Sequence, residues 1–372
     1  MKVGINAHVL GTEVGGDKNY VRNVIRSVGA MDPDGDYTLF LGQPLPLEPI
    51  LGAERMRRVV VEPYNPLIRM PITFPLALAR ERIDVVHVQY IAPPICSARI
   101  VVTVHDISYE RYPHFFAPEA ITQLRALVPL TIRHAATVLT VSEFSRQDII
   151  RRYCVAPEKV VVAHGSADPV FHPIHDPAQF SAARERYGTG EQFILCVGNL
   201  QPRKNLVTLI NAYVRLRQAD ATRHKLVLVG GKSWLYDDIF AAARDSGYID
   251  DLVFTGFVPD DDLVALYNAA ELFVYPSLFE GFGAPPLEAM ACGTPVVTTN
   301  TSSIPEVVGD AALLVDPLDV EGMARAMAAV LDDHALRARL SARGLDRASA
   351  FSWDAAARTI VDVYRRAARW EG

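Results

Sequence analysis

The chain has 372 residues, of which 50% are apolar and 22% are charged, and its formal net charge is −6. This composition is typical of a globular protein with a sizeable core, and a chain of this length usually forms two domains. The negative net charge argues against nucleic acid as a partner.

The chain begins MKVGINAHVL, with Asn6 and His8 where a secretory signal would have its apolar segment. We therefore expect no signal peptide. No apolar run reaches the length of a transmembrane helix. The cysteines at positions 96, 154, 196 and 292 lie far apart and form no CxxC pair, which indicates neither a zinc site nor a disulfide framework. These features predict a reducing, cytoplasmic location.

Short, continuous apolar runs recur along both halves. In the first half they are VGINA, YTLFL, RVVVE, DVVHVQ, RIVVTVHD, TVLTVS and KVVVAHG. In the second half they are QFILCVG, HKLVLVGG, DLVFTG, ELFVYPS, TPVVTT and AALLVD. Such runs are typical of strands buried on both faces of a parallel sheet. Helical spacing lies between them, as in Leu206, Leu209 and Ile210. The alternation predicts two doubly wound, Rossmann-like α/β domains.

A proline-rich segment, DPVFHPIHDP, separates the two halves. Proline denies a strand its ladder donor and interrupts helices, so the boundary is predicted near Pro173. The predicted domains are residues 1–173 and 174–351.

Residues 352–372 form a separate C-terminal element that reads as an amphipathic helix, with Ser352 or Asp354 near its start. Arg365, Arg366, Arg369 and Trp370 would also suit a helix lying on a membrane. Packing on the body of the protein is the favoured interpretation.

Parallel α/β sheets bind ligands beyond the carboxyl ends of their strands. Two such domains facing each other would place the site in a cleft between them. In VGNLQPRKNLVTLI, Arg203 and Lys204 follow a strand and precede a helix that Asn205 can cap. Cations at a helix N-terminus predict an anion site, most simply for phosphate. The alternative is two solvated surface cations.

Two motifs of the first half also follow strands. GTEVGGDKNY contains Gly11, Gly15 and Gly16, which allow close backbone approach to a ligand but do not form a dinucleotide fingerprint. VVTVHDISYE places His105 and Asp106 at the end of a buried strand. A histidine next to an aspartate at such an edge favours a functional role over a structural one.

The segment SLFEGFGAPPLEAMACG follows another strand of the second half. Pro285 or Pro286 suits the first position of a helix and Gly293 suits its end. Glu280 is then predicted in the loop and Glu288 in the first helical turn. Glu288 could simply complement the helix dipole, and Glu280 could simply be solvated. Carboxylates beside backbone amides would also suit sugar hydroxyls and phosphate.

EGFGAPPLE resembles the Glu-x7-Glu motif of the retaining glycosyltransferases of family 4, which have the GT-B fold. PRKN, TVSEFSR, TVHD, the early Gly-Gly loop and SSIPEVVGDAALLVDP are similar to that family in the same order along nearly the whole chain. The resemblance is greatest to the bacterial mannosyltransferase-like branch that acts on polysaccharide or O-antigen precursors. It implies a C-terminal helix that crosses back to the N-terminal domain.

The resemblance implies roles for residues at matching positions. Glu280 would lie beside the donor sugar and Glu288 would bind the ribose hydroxyls. Lys204 would hold the diphosphate. His105 would contact the transferred sugar near its 6-hydroxyl. Glu280 and His105 are thus the candidate catalytic residues.

The remaining donor-binding candidates act through their backbone or charge. Phe282, Gly283 and Ala284 would contact sugar and phosphate, while Gly15 and Gly16 would close over phosphate and acceptor. Val258 and the residues just before it would lie beside the nucleobase. Many family members have an arginine where this chain has Asn199, and Arg203 is the candidate that would supply this charge.

The expected activity is retaining transfer of a hexose from a nucleotide diphosphate sugar, most simply mannose from GDP-mannose, to a saccharide or lipid-linked saccharide. No cofactor and no metal are expected, because no clear Asp-x-Asp site lies in a predicted loop. A lipid-linked acceptor would suit peripheral association with the inner face of a membrane. The alternatives are a UDP-sugar-dependent glucosyl- or N-acetylhexosaminyltransferase, an epimerase, a phosphorylase or a non-catalytic sugar-nucleotide-binding subunit. The oligomeric state is not predicted.

Overall fold

The carboxyl edges of two parallel sheets position the candidate residues. The computed structural model describes residues 1–11, 15–44, 52–174, 176 and 178–369. The chain divides into two units: the first comprises Met1–Gly165 together with the chain from Ser352 onward, and the second comprises Ser166–Phe351. No helix within the described ranges has both the length and the apolarity to cross a bilayer.

In the first unit, the described residues form a parallel sheet of seven strands in the order β3-β2-β1-β4-β5-β6-β7. Each strand coincides with a predicted apolar run. The strands are β1 (Lys2–Asn6), β2 (Asp36–Leu41), β3 (Arg57–Val60), β4 (Val85–Gln89), β5 (Arg99–Thr103), β6 (Thr137–Thr140) and β7 (Val160–Val162). The helices that connect them are α1 (Gly16–Met31), α2 (Pro66–Ile68), α3 (Phe74–Glu81), α4 (Ser108–Arg111), α5 (Pro118–His134) and α6 (Glu143–Tyr153). A π-helical turn, Arg69–Thr73, joins α2 to α3.

In the second unit, six strands of the described chain form a parallel sheet in the order β10-β9-β8-β11-β12-β13. They are β8 (Phe193–Val197), β9 (Lys225–Val229), β10 (Leu252–Gly256), β11 (Leu272–Tyr275), β12 (Val296–Thr299) and β13 (Ala312–Val315). The helices are α7 (Ala178–Tyr187), α8 (Leu206–Gln218), α9 (Asp237–Asp245), α10 (Asp260–Ala269), α11 (Ala284–Ala291), α12 (Ile304–Val308), α13 (Val320–Asp332) and α14 (His334–Ser349).

The second sheet is covered on both faces. Phe193 and Leu195 of β8 pack in one apolar cluster, whereas Ile194 and Cys196 pack in another. This alternation is the expected result of continuous apolar runs in a doubly wound sheet. Cys196 is 3% exposed and fills core space like a small apolar side chain.

The proline-rich segment belongs to the second unit, so the division falls between Gly165 and Ser166 rather than near Pro173. Ser166 donates its hydroxyl to the carbonyl oxygen of Phe351 over 3.0 Å. Phe171 packs in the apolar core of this unit, and the Ile174 amide donates to Asn268 Oδ1 over 2.7 Å. These contacts anchor a segment whose composition alone suggests a free linker.

The last helix, α15 (Trp353–Ala368), is part of the first unit. Ser352 caps it, with Oγ accepting from the Ala355 amide at 3.1 Å. Its apolar face, which includes Ile360 and Tyr364, is buried and contacts α1 and the strands β4, β5 and β6. The helix therefore packs on the body of the protein, as predicted. Trp370, part of the membrane-lying alternative, lies outside the described residues.

A buried histidine ties α15 to the sheet and makes the first unit sensitive to acid. His87 Nδ1 lies 2.7 Å from the Tyr364 hydroxyl, and Nε2 lies 2.7 Å from Thr103 Oγ1. Burial, reinforced by His105, lowers the pKa of His87 from 6.5 to about 3. Below pH 6.5 the unfolded chain takes up a proton that the folded protein excludes. Each pH unit then costs roughly 1.4 kcal/mol of stability.

We therefore expect His87→Gln to flatten the fall in unfolding free energy between pH 6.5 and about 4.5, measured by urea denaturation. The matched control is His134→Gln, which changes an exposed histidine at the end of α5. An unchanged slope in His87→Gln would show that another group carries the acid sensitivity.

Candidate active site

The central feature of the second unit is a buried ion cluster at the carboxyl edge of its sheet. Strands β8 and β11 are parallel neighbours, so the segments that leave them start at the same edge. The segment after β8 carries Arg203 and Lys204, and the segment after β11 carries Glu280. Glu280 and Lys204 are 7% and 8% exposed. The topology thus brings together three residues that the sequence selects separately.

Both carboxylate oxygens of Glu280 are engaged. Lys204 Nζ donates to Oε1 over 2.7 Å, and Ser277 Oγ donates to the same oxygen over 2.6 Å. Arg203 Nη1 lies 2.9 Å from Oε2. Lys204 Nζ also donates to the Tyr275 hydroxyl over 2.5 Å. Every charged group of the cluster therefore has a partner, as a buried charge requires.

The cations keep Glu280 ionised. Burial alone would raise its pKa, but Arg203, Lys204 and the hydroxyl of Ser277 outweigh burial and lower the pKa from 4.5 to about 2. Burial lowers the pKa of Lys204, and Glu280 opposes this effect. One carboxylate and two cations leave the cluster with a net charge of +1. A further anion at this edge would be attracted to it.

The structure corrects the prediction that Asn205 caps the helix start, while the predicted phosphate site at Arg203 and Lys204 stays a prediction. Arg203 and Lys204 lie in a short 3-10 turn, Pro202–Lys204, directly before α8. Asn205 precedes α8 but makes no side-chain cap. Its Nδ2 donates to the carbonyl oxygens of Pro276 and Pro317 over 3.0 and 2.7 Å. Asn205 thus ties neighbouring loops together beside the ion cluster.

Arg203 also fixes the loop that carries Glu280. Its Nη1 donates to the Phe279 carbonyl oxygen over 2.7 Å, and its own carbonyl oxygen accepts from the Leu278 amide at 3.0 Å. Asn199, where the family resemblance implies an arginine, lies shortly before this Arg203 turn. Whether Arg203 supplies the charge of that arginine to a ligand stays a prediction.

Two serines hold the Glu280 loop from the other side. Ser302 Oγ accepts from the Glu280 amide at 2.9 Å. Ser303 Oγ lies within hydrogen-bond distance of the carbonyl oxygens of Glu280 and Phe282, at 2.9 and 2.8 Å. Phe282 is 9% exposed and its ring meets Phe351 edge-on, with centroids 5.6 Å apart. The loop backbone is therefore well supported on both sides.

The helix that follows begins one residue before the first proline. Gly283 has φ of +105 and precedes α11, whose first residue is Ala284. A Cβ on Gly283 would lie 2.6 Å from Ile304 Cδ1, so this position requires glycine. Glu288 is then the fifth residue of α11, in its second turn rather than its first. Gly293 has φ of +79 after the helix, as its predicted position at the helix end requires.

Glu288 lies on the same helix but outside the ion cluster. Tyr267 donates its hydroxyl to Glu288 Oε2 over 2.9 Å. The carboxylate is half-buried, so it can still accept hydrogen bonds from a ligand. Glu280 and Glu288 therefore have different surroundings: one neutralises cations and the other is held by a neutral hydroxyl.

Val258, predicted beside a nucleobase, has its side chain in the core. It is 3% exposed and packs with the apolar residues of the second unit. Its neighbour Phe257 is 59% exposed. Phe257 rather than Val258 therefore presents its side chain to solvent in this loop. Only the backbone of Val258 can serve the predicted role directly.

In the first unit, His105 follows β5 and is half-buried. Its Nε2 lies 3.2 Å from Gln89 Oε1 and 3.4 Å from Asp17 Oδ1. The ring of Tyr20 meets His105 edge-on at 4.6 Å between centroids. The neighbouring Asp106 instead accepts from the Ser108 amide at 2.8 Å. Asp17 rather than the adjacent Asp106 therefore faces the imidazole, and the functional role of His105 stays a prediction.

The glycine loop reaches the same edge as His105. Gly16 begins α1 and Gly15 precedes it. A Cβ at either glycine would meet no atom within 4 Å, so open space surrounds both. Asp17 follows directly and contacts His105. The centre of the loop, residues 12–14, lies outside the described residues.

Four residues of these clusters were not predicted from the sequence: Asp17, Gln89, Tyr275 and Ser277. Gln89 and Tyr275 are the last residues of their strands, and this position could have identified them. Within the described part of the chain, no group of three or more His, Cys, Asp and Glu residues could hold a metal ion.

Family comparisons match both units. The family described as Glycosyltransferase Family 4 matches residues 14–171, and the family described as Glycosyl transferases group 1 matches residues 179–347. The fold agrees with solved structures. Sucrose-phosphate synthase from Thermosynechococcus elongatus has a TM-score of 0.79 at 21% identity, covering 98% of each chain. Anabaena Alr3699/HepE in complex with UDP and glucose has a TM-score of 0.78 at 20% identity, covering 98% of this chain and 99% of that chain.

Sequence relatives include bacterial mannosyltransferases. The chain is 36% identical to O-antigen chain mannosyltransferase B of Escherichia coli over 269 residues, which are 72% of this chain and 70% of the relative. It is 34% identical to the serotype-specific mannosyltransferase WbdA of Escherichia coli over 62% of this chain, but spans only 29% of that longer protein. The chain therefore belongs to family 4 of the glycosyltransferases, within the bacterial mannosyltransferase-like branch, and has the GT-B fold.

Proposed function

We propose that this glycosyltransferase moves mannose from GDP-mannose to a saccharide or lipid-linked saccharide, with retention of the anomeric configuration. The single observation that supports this best is the buried cluster of Arg203, Lys204 and Glu280 at the carboxyl edge of the second sheet. The relatives named as mannosyltransferases support mannose as the transferred sugar. The guanine base of the proposed donor is inferred from the resemblance to the mannosyltransferase-like branch.

The cluster suits the leaving group of such a reaction. As the bond between the sugar C1 and the β-phosphate oxygen breaks, negative charge grows on the nucleoside diphosphate. Arg203 and Lys204 are already oriented by Glu280, so they can stabilise this charge without reorganising. We assign the diphosphate to these two cations and to the amide of Ala284 at the start of α11. Pro285 and Pro286 follow it and carry no amide hydrogen.

Glu280 acts in this proposal as an ionised positioning group beside the donor sugar. Both of its oxygens already contact cations, which makes the carboxylate a weak nucleophile at C1. A double displacement like that of retaining glycosidases is therefore disfavoured. In the favoured route the acceptor oxygen forms the new bond to C1 on the face that the phosphate leaves. The acceptor proton passes to the departing phosphate oxygen.

The other candidates receive supporting roles. Glu288 accepts hydrogen bonds from the ribose, while Tyr267 fixes its carboxylate. The backbone of Phe282, Gly283 and Ala284 contacts sugar and phosphate. His105 contacts the transferred sugar, and Gly15 and Gly16 close over the phosphates and acceptor. The loop of Val258 and Phe257 borders the base. These roles rest on position and on the family resemblance.

The reaction is proposed to need no metal, because Arg203 and Lys204 supply the positive charge. A cytoplasmic location, with peripheral association with the inner face of a membrane, would suit a lipid-linked acceptor.

A thermal-shift panel of GDP-mannose, UDP-glucose, UDP-N-acetylglucosamine, ADP-glucose and a dTDP-sugar tests the donor. A ligand at about 100 times its Kd stabilises the native state by roughly 2.7 kcal/mol, so GDP-mannose should give the largest rise in Tm. The rise should persist in EDTA, without added Mg²⁺. The anomeric configuration of the product, read by NMR, tests retention.

Other outcomes of the panel would change the assignment. A larger rise in Tm with a UDP-sugar would show that the donor is a UDP-sugar rather than GDP-mannose. A rise that needs Mg²⁺ would contradict metal independence. Donor binding with neither hydrolysis nor transfer would indicate a non-catalytic subunit.

A further inference from the structure

The first unit contains a large apolar groove to which no role has been given. Its volume is about 1190 Å³. One wall comes from α2 and the π-helical turn, including Leu67 and Met70, and the other comes from α5, including Leu127 and Leu130. Leu67 is 81% exposed and Leu130 is 52% exposed. Contiguous apolar surface of this kind usually marks a binding site.

The lining residues of the groove extend from the carboxyl edge of the sheet to its amino edge. Pro93 follows β4, and Pro118 begins α5 beyond the end of β5. These lining residues therefore mark the edge from which His105 also projects. Arg99 at the start of β5 and His134 at the end of α5 line the opposite end. At 1.5 Å per residue α5 is about 25 Å long, so the groove offers room for an extended hydrocarbon chain.

A buried cation lies next to the groove. Arg69 is 3% exposed and is not itself a lining residue, but its Nη2 lies 3.6 Å from Sδ of Met70, which lines the groove. Its Nη1 donates to Asn6 Oδ1 over 3.3 Å, at the carboxyl end of β1. Within the described ranges, no carboxylate pairs with Arg69. Buried charges normally have a counter-charge, so this position favours an anion.

The surroundings of Arg69 accentuate its need for an anion. Burial lowers the pKa of Arg69. Burial, together with Arg69, lowers the pKa of His8 to about 4, so His8 adds no positive charge at neutral pH. The segment 55–100, which includes this wall, has seven arginines against three acidic residues. Its net charge of +4 contrasts with the −6 of the whole chain.

We propose that the groove and Arg69 together bind an amphiphile, with its hydrocarbon chain in the groove and its phosphate at Arg69. This rests on the proposed function, because it specifies the acceptor as lipid-linked through phosphate. An apolar groove that adjoins a buried cation fits such a molecule better than it fits a neutral saccharide. This arrangement also places the boundary between the hydrocarbon chain and the phosphate headgroup of the ligand near the carboxyl edge of the sheet.

The test measures the Kd of dodecyl phosphate, inorganic phosphate and dodecyl maltoside for the full-length protein by calorimetry, below the critical micelle concentrations. Dodecyl phosphate should bind most tightly. Leu130→Asp should weaken it by about tenfold or more, because the substitution puts a charge into the groove. Arg69→Met should weaken dodecyl phosphate by a similar factor and leave dodecyl maltoside unchanged. The matched control is Leu318→Asp, since Leu318 is 72% exposed in the second unit.

Three results would overturn the proposal. Leu130→Asp could leave dodecyl phosphate binding unchanged, or inorganic phosphate could bind as tightly as the amphiphile. Alternatively, light scattering could show a dimer that dissociates in the Leu130→Asp variant, which would assign the groove to a second copy of the chain. Binding to vesicles of phosphatidylglycerol is measured in parallel, to distinguish a membrane-binding surface from the groove. Leu76→Asp, at an exposed site of α3 outside the groove, should leave the binding of dodecyl phosphate unchanged. The GDP-mannose shift is measured on each variant and should not change, so failure here is separable from failure of the donor assignment.

Discussion

Glu280→Gln is expected to lower kcat by at least about a hundredfold, an effect of the size seen when preorganised electrostatic groups are removed. The neutral amide cannot orient Arg203 and Lys204 as a carboxylate does, and both cations lose their counter-charge. Lys204 is buried, so its pKa should fall further in the variant. A lysine that is partly neutral would stabilise the leaving diphosphate less.

The same substitution is expected to destabilise the second unit. Removing one partner of a buried ion pair costs roughly 3–5 kcal/mol. Because the pKa of Glu280 is lowered from 4.5 to about 2, its contribution is complete above pH 4.5 and is lost as the pH falls toward 2. The difference in Tm between wild type and variant should thus be constant between pH 8 and pH 5, and should shrink below pH 4.5.

Glu271→Gln is the matched control for Glu280→Gln. Glu271 directly precedes β11, at the amino end of the strand whose carboxyl end leads to Glu280, and its Oε2 lies 3.1 Å from His224 Nε2. This variant should keep kcat within about twofold of wild type, because it lies at the edge away from the proposed chemistry. Near-normal turnover in Glu280→Gln, or an equal loss in Glu271→Gln, would remove Glu280 from its proposed role.

Lys204→Met is expected to lower kcat by about a hundredfold or more while the protein remains folded. Methionine fills most of the space of the lysine stem, and Glu280 keeps Arg203 and Ser277 as partners. What the variant loses is one of the two positive charges proposed to face the diphosphate. The cluster falls from a net charge of +1 to zero. The GDP-mannose thermal shift should therefore shrink as well.

Lys225→Met provides the matching control for Lys204→Met. Lys225 begins β9 at the amino edge of the same sheet, and its Nζ donates to the Gly188 carbonyl oxygen over 2.8 Å. Kinetics and thermal shift should stay close to wild type. If Lys204→Met retained both turnover and the donor shift, the diphosphate would have to bind elsewhere.

The secondary structure was readable from the sequence because the strands are short and buried on both faces. Each predicted apolar run corresponds to a strand within the described residues. The helix beginning at Leu206 and the glycine after α11 follow from local rules of the same kind. Burial of both faces of a strand leaves a signal in its own residues, so no partner is needed to recognise it.

The ion cluster could not be read in the same way. Lys204 and Glu280 are 76 positions apart in the sequence, and each by itself resembles a residue with a free charge. Their pairing depends on β8 and β11 being neighbours in the sheet, which is a property of the topology. The partner of His105 has the same origin: Asp17 reaches it from α1, whereas the adjacent Asp106 turns toward its own backbone.

Small differences in local register account for the remaining corrections. Val258 is buried and the adjacent Phe257 is exposed, so a shift of one residue decides which side chain faces solvent. The start of α11 at Ala284, rather than at a proline, moves Glu288 into the second turn. The proline-rich segment attaches to the second unit through Phe171 and Ile174, and such tertiary contacts are invisible in composition.

The assignment of α15 to the first unit has a consequence for synthesis of the chain. The second unit is one continuous segment, Ser166–Phe351, inserted between the two parts of the first. On the ribosome its whole sequence emerges while the first unit still lacks the helix that covers α1 and β5. Domains usually fold in order from the N-terminus, but here the second unit can be completed before the first. The apolar surface of the first unit that α15 covers therefore stays uncovered until α15 itself has left the ribosome.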